Sequence, residues 1–169
     1  MGQLSHFDEY GASRMVDVGQ KPLSQRMARA SARVSMTPPT QKLVRERTCQ
    51  KGDVLEVARL AGIMAAKRTS ELIPLCHSLG LDCVSIDFHF PDSSTIAVES
   101  CVRVTARTGV EMEALTAATI AALTIYDMCK SADRTMVINQ VQLEEKAGGR
   151  SGRFQRSPAE GPATSEPSN

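Results

Sequence analysis

The stretch ELIPLCHSLG places Cys76 beside His77, just past Pro74, in a chain that holds only three histidines. Three chemistries fit such a pair: a metal site, a thiol with its base, or an imidazole presented at a turn. Adjacent residues seldom ligate one metal, and no other Cys/His pair stands at ligand spacing, which argues against structural zinc. A thiol–imidazole couple needs side chains that converge, whereas sequence neighbours usually point apart. The bland reading is a core cysteine next to a surface histidine. The sharper reading has Pro74 fix the backbone after a helix and hold His77 at a site edge. An imidazole there suits proton transfer or phosphate contact near neutral pH.

A second candidate is IYDMCK. Asp127 and Lys130 are three apart on a helix, so they share a face and can pair. A surface ion pair is the ordinary explanation and contributes little. This helix is otherwise apolar, however, and charges against such a surface are costly unless paired or used. A carboxylate beside an ammonium in a sheltered cleft is a workable acid/base couple. In TGVEME, Thr108 and Glu111 fit a capping box, and Glu113 sits where the helix dipole favours acid. Both glutamates therefore have structural explanations.

The remaining candidates are cations. Lys51 precedes a helix start in KGD, Lys67 and Arg68 close that helix, and Lys146 and Arg150 lie in EEKAGGRSG. That loop lacks the spacing and following helix of a Walker motif. A glycine-rich segment with two cations still resembles a lid over a phosphorylated substrate. Each cation taken singly is explained as a solvated surface residue.

Elements of regular period must position these groups. The 169 residues, 41% hydrophobic and 4% aromatic with no Trp, fit one soluble domain whose core is built from Ala, Val, Leu, Ile and Met. A net charge of +1 gives no global field toward nucleic acid or a membrane. The five cysteines include no C-x-x-C pair, and no apolar leader or run of about 18 apolar residues occurs. Free thiols and a cytoplasmic location are expected.

Ala28, Ala30, Ala32, Val34 and Met36 alternate with polar residues, which predicts a half-buried strand. TPPT breaks it, and QKLVRERT suits a short helix. KGDVLEVARLAGIMAAKRTSELI predicts an amphipathic helix with Asp53 as N-cap, apolar at Val54, Val57, Ala58, Ala61, Met64 and Ala65, and ended by Pro74. CVSIDFHF and TIAVESCVRVTAR around PDSS predict an antiparallel hairpin. Phe88 and Phe90 share the core parity of Val84 and Ile86, so they are no base-stacking platform for RNA. TGVEMEALTAATIAALTIYDMCK predicts a long, well-buried helix, and MVINQVQLEE a last strand. The order strand, helix, strand, strand, helix, strand predicts an α+β, ferredoxin-like split βαβ fold: a four-stranded antiparallel sheet with helices on one face. The expected boundaries are an arm over 1–20, a single catalytic domain over 21–154 and a disordered tail over 155–169.

MVDVGQK, KGDVLEVARLAGIMAAKRTSELIPLCH, TGVEMEALTAATIAALTIYDMCK and KAGGRSG together closely resemble the cyclic pyranopterin monophosphate synthase family, the C protein of molybdenum cofactor biosynthesis. The likeness runs from about Leu4 to about Phe154. It implies a lyase that converts 3′,8-cyclo-7,8-dihydro-GTP to cyclic pyranopterin monophosphate and releases pyrophosphate. It also implies a homohexamer, a trimer of dimers, with sites between subunits. No redox cofactor and no protein-held metal are implied, and a divalent ion with the pyrophosphate is left open. Position by position, Asp127, Lys51 and Lys130 match the family's catalytic residues. Leu75, Cys76 and His77 match one substrate-contacting segment, and Met112 and Glu113 another. Glu111, Lys146 and Arg26 fall at pocket positions, and Lys67 and Arg150 join the candidates for pyrophosphate charge. Asp17 lies in the N-terminal motif without an assigned role. Cys49 and Gln50 stand where many relatives carry histidine before the lysine. The alternative is a non-catalytic ferredoxin-like module that binds a metabolite.

Overall fold

Strand β1 (Ser24–Ser35) alternates as expected: Ala28, Ala30, Ala32 and Val34 are fully buried, and Arg33 is exposed on the other face. The chain is described by a computed structural model that covers residues 10–150 and 152–157. Strands β2 (Cys83–His89) and β3 (Thr95–Ala106) form the predicted hairpin, with Cys83 opposite Arg103 and His89 opposite Ala97. β3 pairs antiparallel along all of β1, from Ser24 opposite Ala106 to Ser35 opposite Thr95. Strand β4 (Val137–Ala147) pairs with the other edge of β1, with two register shifts.

A two-residue strand β5 (Phe154–Gln155) then adds to β4. The sheet therefore has five strands, in the order β2-β3-β1-β4-β5, and not four. Two residues after a glycine-rich turn show no period, which is why β5 leaves no trace in the pattern. The expected domain boundary at 154 falls inside β5, where Gln155 sits opposite Glu145. Residues 1–9 of the expected arm and 158–169 of the expected tail lie outside the described residues.

Helix α1 (Pro38–Arg45) starts earlier than expected, with proline at its first positions, where the missing N–H costs nothing. The buried Gln41 amide donates to Asp92 O (2.6 Å) and Thr95 O (2.9 Å), which ties α1 to the hairpin turn. Helix α2 (Val54–Lys67) is capped by Asp53, whose Oδ1 accepts from the Leu55 and Glu56 amides at 3.2 Å. The expected continuous helix is broken at Arg68, and a single turn, α3 (Thr69–Leu72), precedes Pro74. Helix α4 (Glu111–Cys129) lies over β1, β3 and β4, and α2 packs on α4 and β2. The core fills that one face, where Ala114, Ala117, Ala118, Ala121, Ala122 and Ile125 are all fully buried.

The small residues let α2 and α4 run close and antiparallel. A Cβ on Gly62 would stand 2.8 Å from the Ala117 carbonyl oxygen and 3.2 Å from the Ala121 Cβ. The apolar stripe of α2 is not all core. Val57, Leu60 and Met64 are 45%, 60% and 44% exposed, so one turn-spaced apolar row faces outward. Phe88 and Phe90 pack against the core as their parity predicts. No helix among the described residues is long and apolar enough to cross a membrane.

Candidate active site

The antiparallel run of α2 and α4 sorts the candidate residues to the two ends of α4. At its C-terminal end, Lys51 in the turn before α2 meets Asp127. The Lys51 Nζ donates to Asp127 O at 3.0 Å and lies 3.5 Å from Oδ2. The Lys130 Nζ lies 2.6 Å from Asp127 Oδ1. The two ammonium groups hold the Asp127 carboxyl below its ordinary range, Lys130 more than Lys51. The three side chains are each about half exposed in one chain, so this cluster stands open. Beside it lies a cavity of about 320 Å³, lined by Cys49, Gln50, Lys51, Met128 and Cys129 among others. Burial and the neighbouring Cys49 push the Cys129 thiol up to about 12, so it stays protonated.

At the other end of α4, Leu75, Cys76, His77, Glu111, Met112 and Glu113 line a cavity of about 310 Å³ with Val16, Val18 and Lys21. The turn that presents His77 is strained: Leu75 has φ +66°, a left-handed conformation unusual for leucine. The His77 Nε2 donates to the Val16 carbonyl at 2.8 Å. Burial and then the Glu113 charge push the Cys76 thiol up, so a thiolate nucleophile with His77 as base is not supported. Glu113 is only 4% exposed, and burial, with Glu111 adding, raises its carboxyl.

Glu111 does not cap its helix as the pattern suggested. The N-cap is Val110, with no side-chain hydrogen bond, and Glu111 pairs with Lys146 at 3.3 Å. It stands at the first helical position rather than the third, so it cannot close a capping box. This pair opens onto a larger cavity of about 580 Å³, lined by Lys21, Ser24, Arg26, Arg107, Lys146 and Arg150 together with Gly148 and Gly149. Five cations and one carboxylate give this cavity a net positive lining, the charge that suits an anion. Two polar atoms there, Ser24 Oγ and Arg26 Nε, are buried without a hydrogen-bond partner among the described residues. The glycine-rich loop is seated on β1. A Cβ on Gly148 (φ +95°) would meet Gln25 O at 2.2 Å, and one on Gly149 (φ +75°) would meet Arg26 Nη1 at 1.8 Å. A side chain at Gly149 would displace the Arg26 guanidinium, and one at Gly148 would run into the β1 backbone.

Lys67 is exposed at the end of α2 and lines none of these cavities. Lys21 and Arg107 escaped the sequence reading as site residues. Their signals were present: Lys21 ends the MVDVGQK stretch, and Arg107 directly precedes the Thr108–Gly109 helix entry. Among the described residues, no group of three or more His, Cys, Asp or Glu could hold a metal ion.

A model of the MoaC family matches residues 15–149. The chain is 58% identical to a cyclic pyranopterin monophosphate synthase of Magnetococcus marinus, over 92% of this chain and 96% of that protein. It is 57% identical to one of Thermomicrobium roseum, over 92% and 95% of the two chains. It is 53% identical to cyclic pyranopterin monophosphate synthase 3 of Mycobacterium bovis, over 94% and 90%.

Proposed function

The chain belongs to the MoaC family, and we propose that it is a cyclic pyranopterin monophosphate synthase. It converts 3′,8-cyclo-7,8-dihydro-GTP to cyclic pyranopterin monophosphate and releases pyrophosphate, as a lyase of molybdenum cofactor biosynthesis. The observation that carries this reading is the meeting of Lys51, Asp127 and Lys130 from two distant parts of the chain. The reaction opens a purine-derived ring hydrolytically, closes a pyrazine ring, and has a sugar hydroxyl attack the phosphate nearest the ribose. Asp127, kept ionised by its two lysines, serves as the base, and a lysine ammonium as the acid. Leu75, Cys76, His77 and Met112 contact the ring system, and the buried Glu113 carboxyl faces its N–H edge. Lys21, Arg26, Arg107, Lys146 and Arg150 meet the charge of the departing pyrophosphate. A divalent ion riding on the pyrophosphate is compatible with this charge balance.

From Glu111 to Asp127, α4 rises by about 24 Å at about 1.5 Å per residue. One nucleotide does not bridge that span. The active site in this reading combines the lysine–aspartate cluster of one subunit with the cation-lined cavity of another. The outward apolar row Val57, Leu60 and Met64 supports such an assembly, which we take to be a trimer of dimers. The β2-β3-β1-β4 order of the long strands supports a ferredoxin-like core spanning 21–154, extended by β5. The location we assign is cytoplasmic.

The test is to incubate the purified full chain with the cyclised nucleotide and measure pyrophosphate release. Release by the wild type, lost in Asp127→Asn, supports the reading. Binding of the nucleotide without turnover would favour a metabolite-binding module instead.

A further inference from the structure

Between Val16 and Leu23 the chain is neither helix nor strand, yet two clamps hold it. His77 Nε2 donates to Val16 O at 2.8 Å. One residue on, Asp17 Oδ1 accepts the Gly19 amide at 2.7 Å, and Val18 O accepts the Lys21 amide at 3.0 Å. The second pair is a tight turn closed by the aspartate side chain, and it reverses the chain just before Lys21. Val16 and Val18 wall the cavity that holds Leu75, Cys76 and Glu113, and Lys21 lines both that cavity and the larger anion cavity.

We propose that His77 and Asp17 are positioning residues, which act by fixing Lys21 at the junction of the two cavities. A lysine on an unclamped segment would lose backbone freedom on meeting an anion, and that cost comes off its affinity. Here the chain is ordered beforehand. The strained Leu75 turn fixes where His77 stands, His77 fixes Val16, and the Asp17 turn fixes the five-residue step from Val16 to Lys21. The Nε2 proton of His77 is committed to a main-chain carbonyl, which suits a clamp better than a phosphate contact through that nitrogen. Asp17 thereby gains a role that its place in the N-terminal motif did not supply. The inference rests on the proposed function insofar as the anion is pyrophosphate.

The test uses inorganic pyrophosphate as probe, titrated calorimetrically into the full chain. Lys21→Ala is expected to weaken binding about ten-fold or more, the usual effect of losing one charge-assisted contact. Asp17→Ala and His77→Ala each weaken it too, but neither adds to the loss when combined with Lys21→Ala, because both act through that lysine. Amide exchange at Gly19 and Lys21 speeds up in both single variants, a change that a purely ligand-touching role would not produce. His77→Gln, which keeps an N–H donor, recovers part of the exchange protection and covers the case in which His77→Ala folds poorly. Additive losses, unchanged exchange, or a wild type that binds no pyrophosphate would each overturn the inference. A wild type that binds pyrophosphate and shows the non-additive pattern, yet does not turn over the cyclised nucleotide, sinks the functional reading alone.

Discussion

The Lys51 ammonium stands 3.0 Å from the main-chain oxygen of Asp127 and 3.5 Å from its carboxylate. A residue ahead of α2 is thus bound to the last turn of α4, and the same contact orients the carboxylate. Loss of the cation should cut turnover, not merely binding. Lys51→Ala is expected to lower kcat by on the order of 100-fold. A loss confined to KM would reduce Lys51 to a binding residue.

Lys130 is the larger cause of the low Asp127 carboxyl, through its 2.6 Å contact. Removing it should let Asp127 rise toward the ordinary aspartate range. Carbon-13 NMR of labelled aspartate carboxyls, followed through acid titration, reads this directly. The Asp127 resonance of Lys130→Gln should titrate at higher pH than that of the wild type. Coincident curves would separate the two groups.

Glu113 makes an opposite prediction about stability. Its carboxyl lies above the ordinary value in the folded state, because it is buried. Between the unfolded and folded values the native protein holds more protons, so stability falls as pH rises through that window. Glu113→Gln removes the titration. Its Tm should exceed the wild-type Tm at about pH 7.5, and the gap should close below about pH 4, where the ordinary glutamate is protonated in both states. A gap that does not change with pH would mean the gain has another source. If Glu113 meets the substrate, activity should fall in the same variant, since stability gained at a functional position is commonly offset by lost function.

Much of this arrangement was legible in the pattern, for identifiable reasons. The alternation Ala28, Ala30, Ala32, Val34 is a backbone period, and every one of those residues is fully buried. The Asp53 cap is a local side-chain event, and it stands as expected. What could not be read was decided by distant partners. Glu111 fits a capping box by spacing alone, but the actual helix start at Val110 and the reach of Lys146 assign it elsewhere. Lys21 looks like any surface lysine until the turn at Asp17 brings it to a cavity formed by three other segments, the start of β1, the entry to α4 and the end of β4 with its glycine-rich loop. Val57 and Met64 fit the buried stripe of an amphipathic helix, yet they face out.

Gly62 is legible only in three dimensions. On sequence grounds, Gly62→Ala improves a helix by about 1 kcal/mol. Here the added methyl would stand 2.2 Å from Ile86 Cδ1 and 2.8 Å from the Ala117 carbonyl, so α2 and α4 must separate. Overpacking of this kind costs about 1–3 kcal/mol, and the backbone oxygen cannot rotate away. The net effect is a loss, expected as a Tm drop of about 2–4 °C or more. A raised Tm would show that the helices can move apart at no cost.

The separation of the two site halves along α4 yields the most discriminating prediction. Asp127 belongs to one end of the helix and Lys146, through Glu111, to the other. If each active site takes one half from each of two subunits, Asp127→Asn and Lys146→Ala subunits are both inactive alone but complement each other. In a mixed pair, one site carries both lesions and the other carries neither. Random mixing at equal amounts makes half of the pairs mixed, so about a quarter of wild-type activity should return, by the isologous geometry of a two-fold pair. The two variants are co-expressed or unfolded and refolded together, and pyrophosphate release is measured against each variant alone. Activity that stays at the level of the separate variants would place both halves in the same subunit. The roughly 24 Å between them would then have to be closed by a movement of the chain itself.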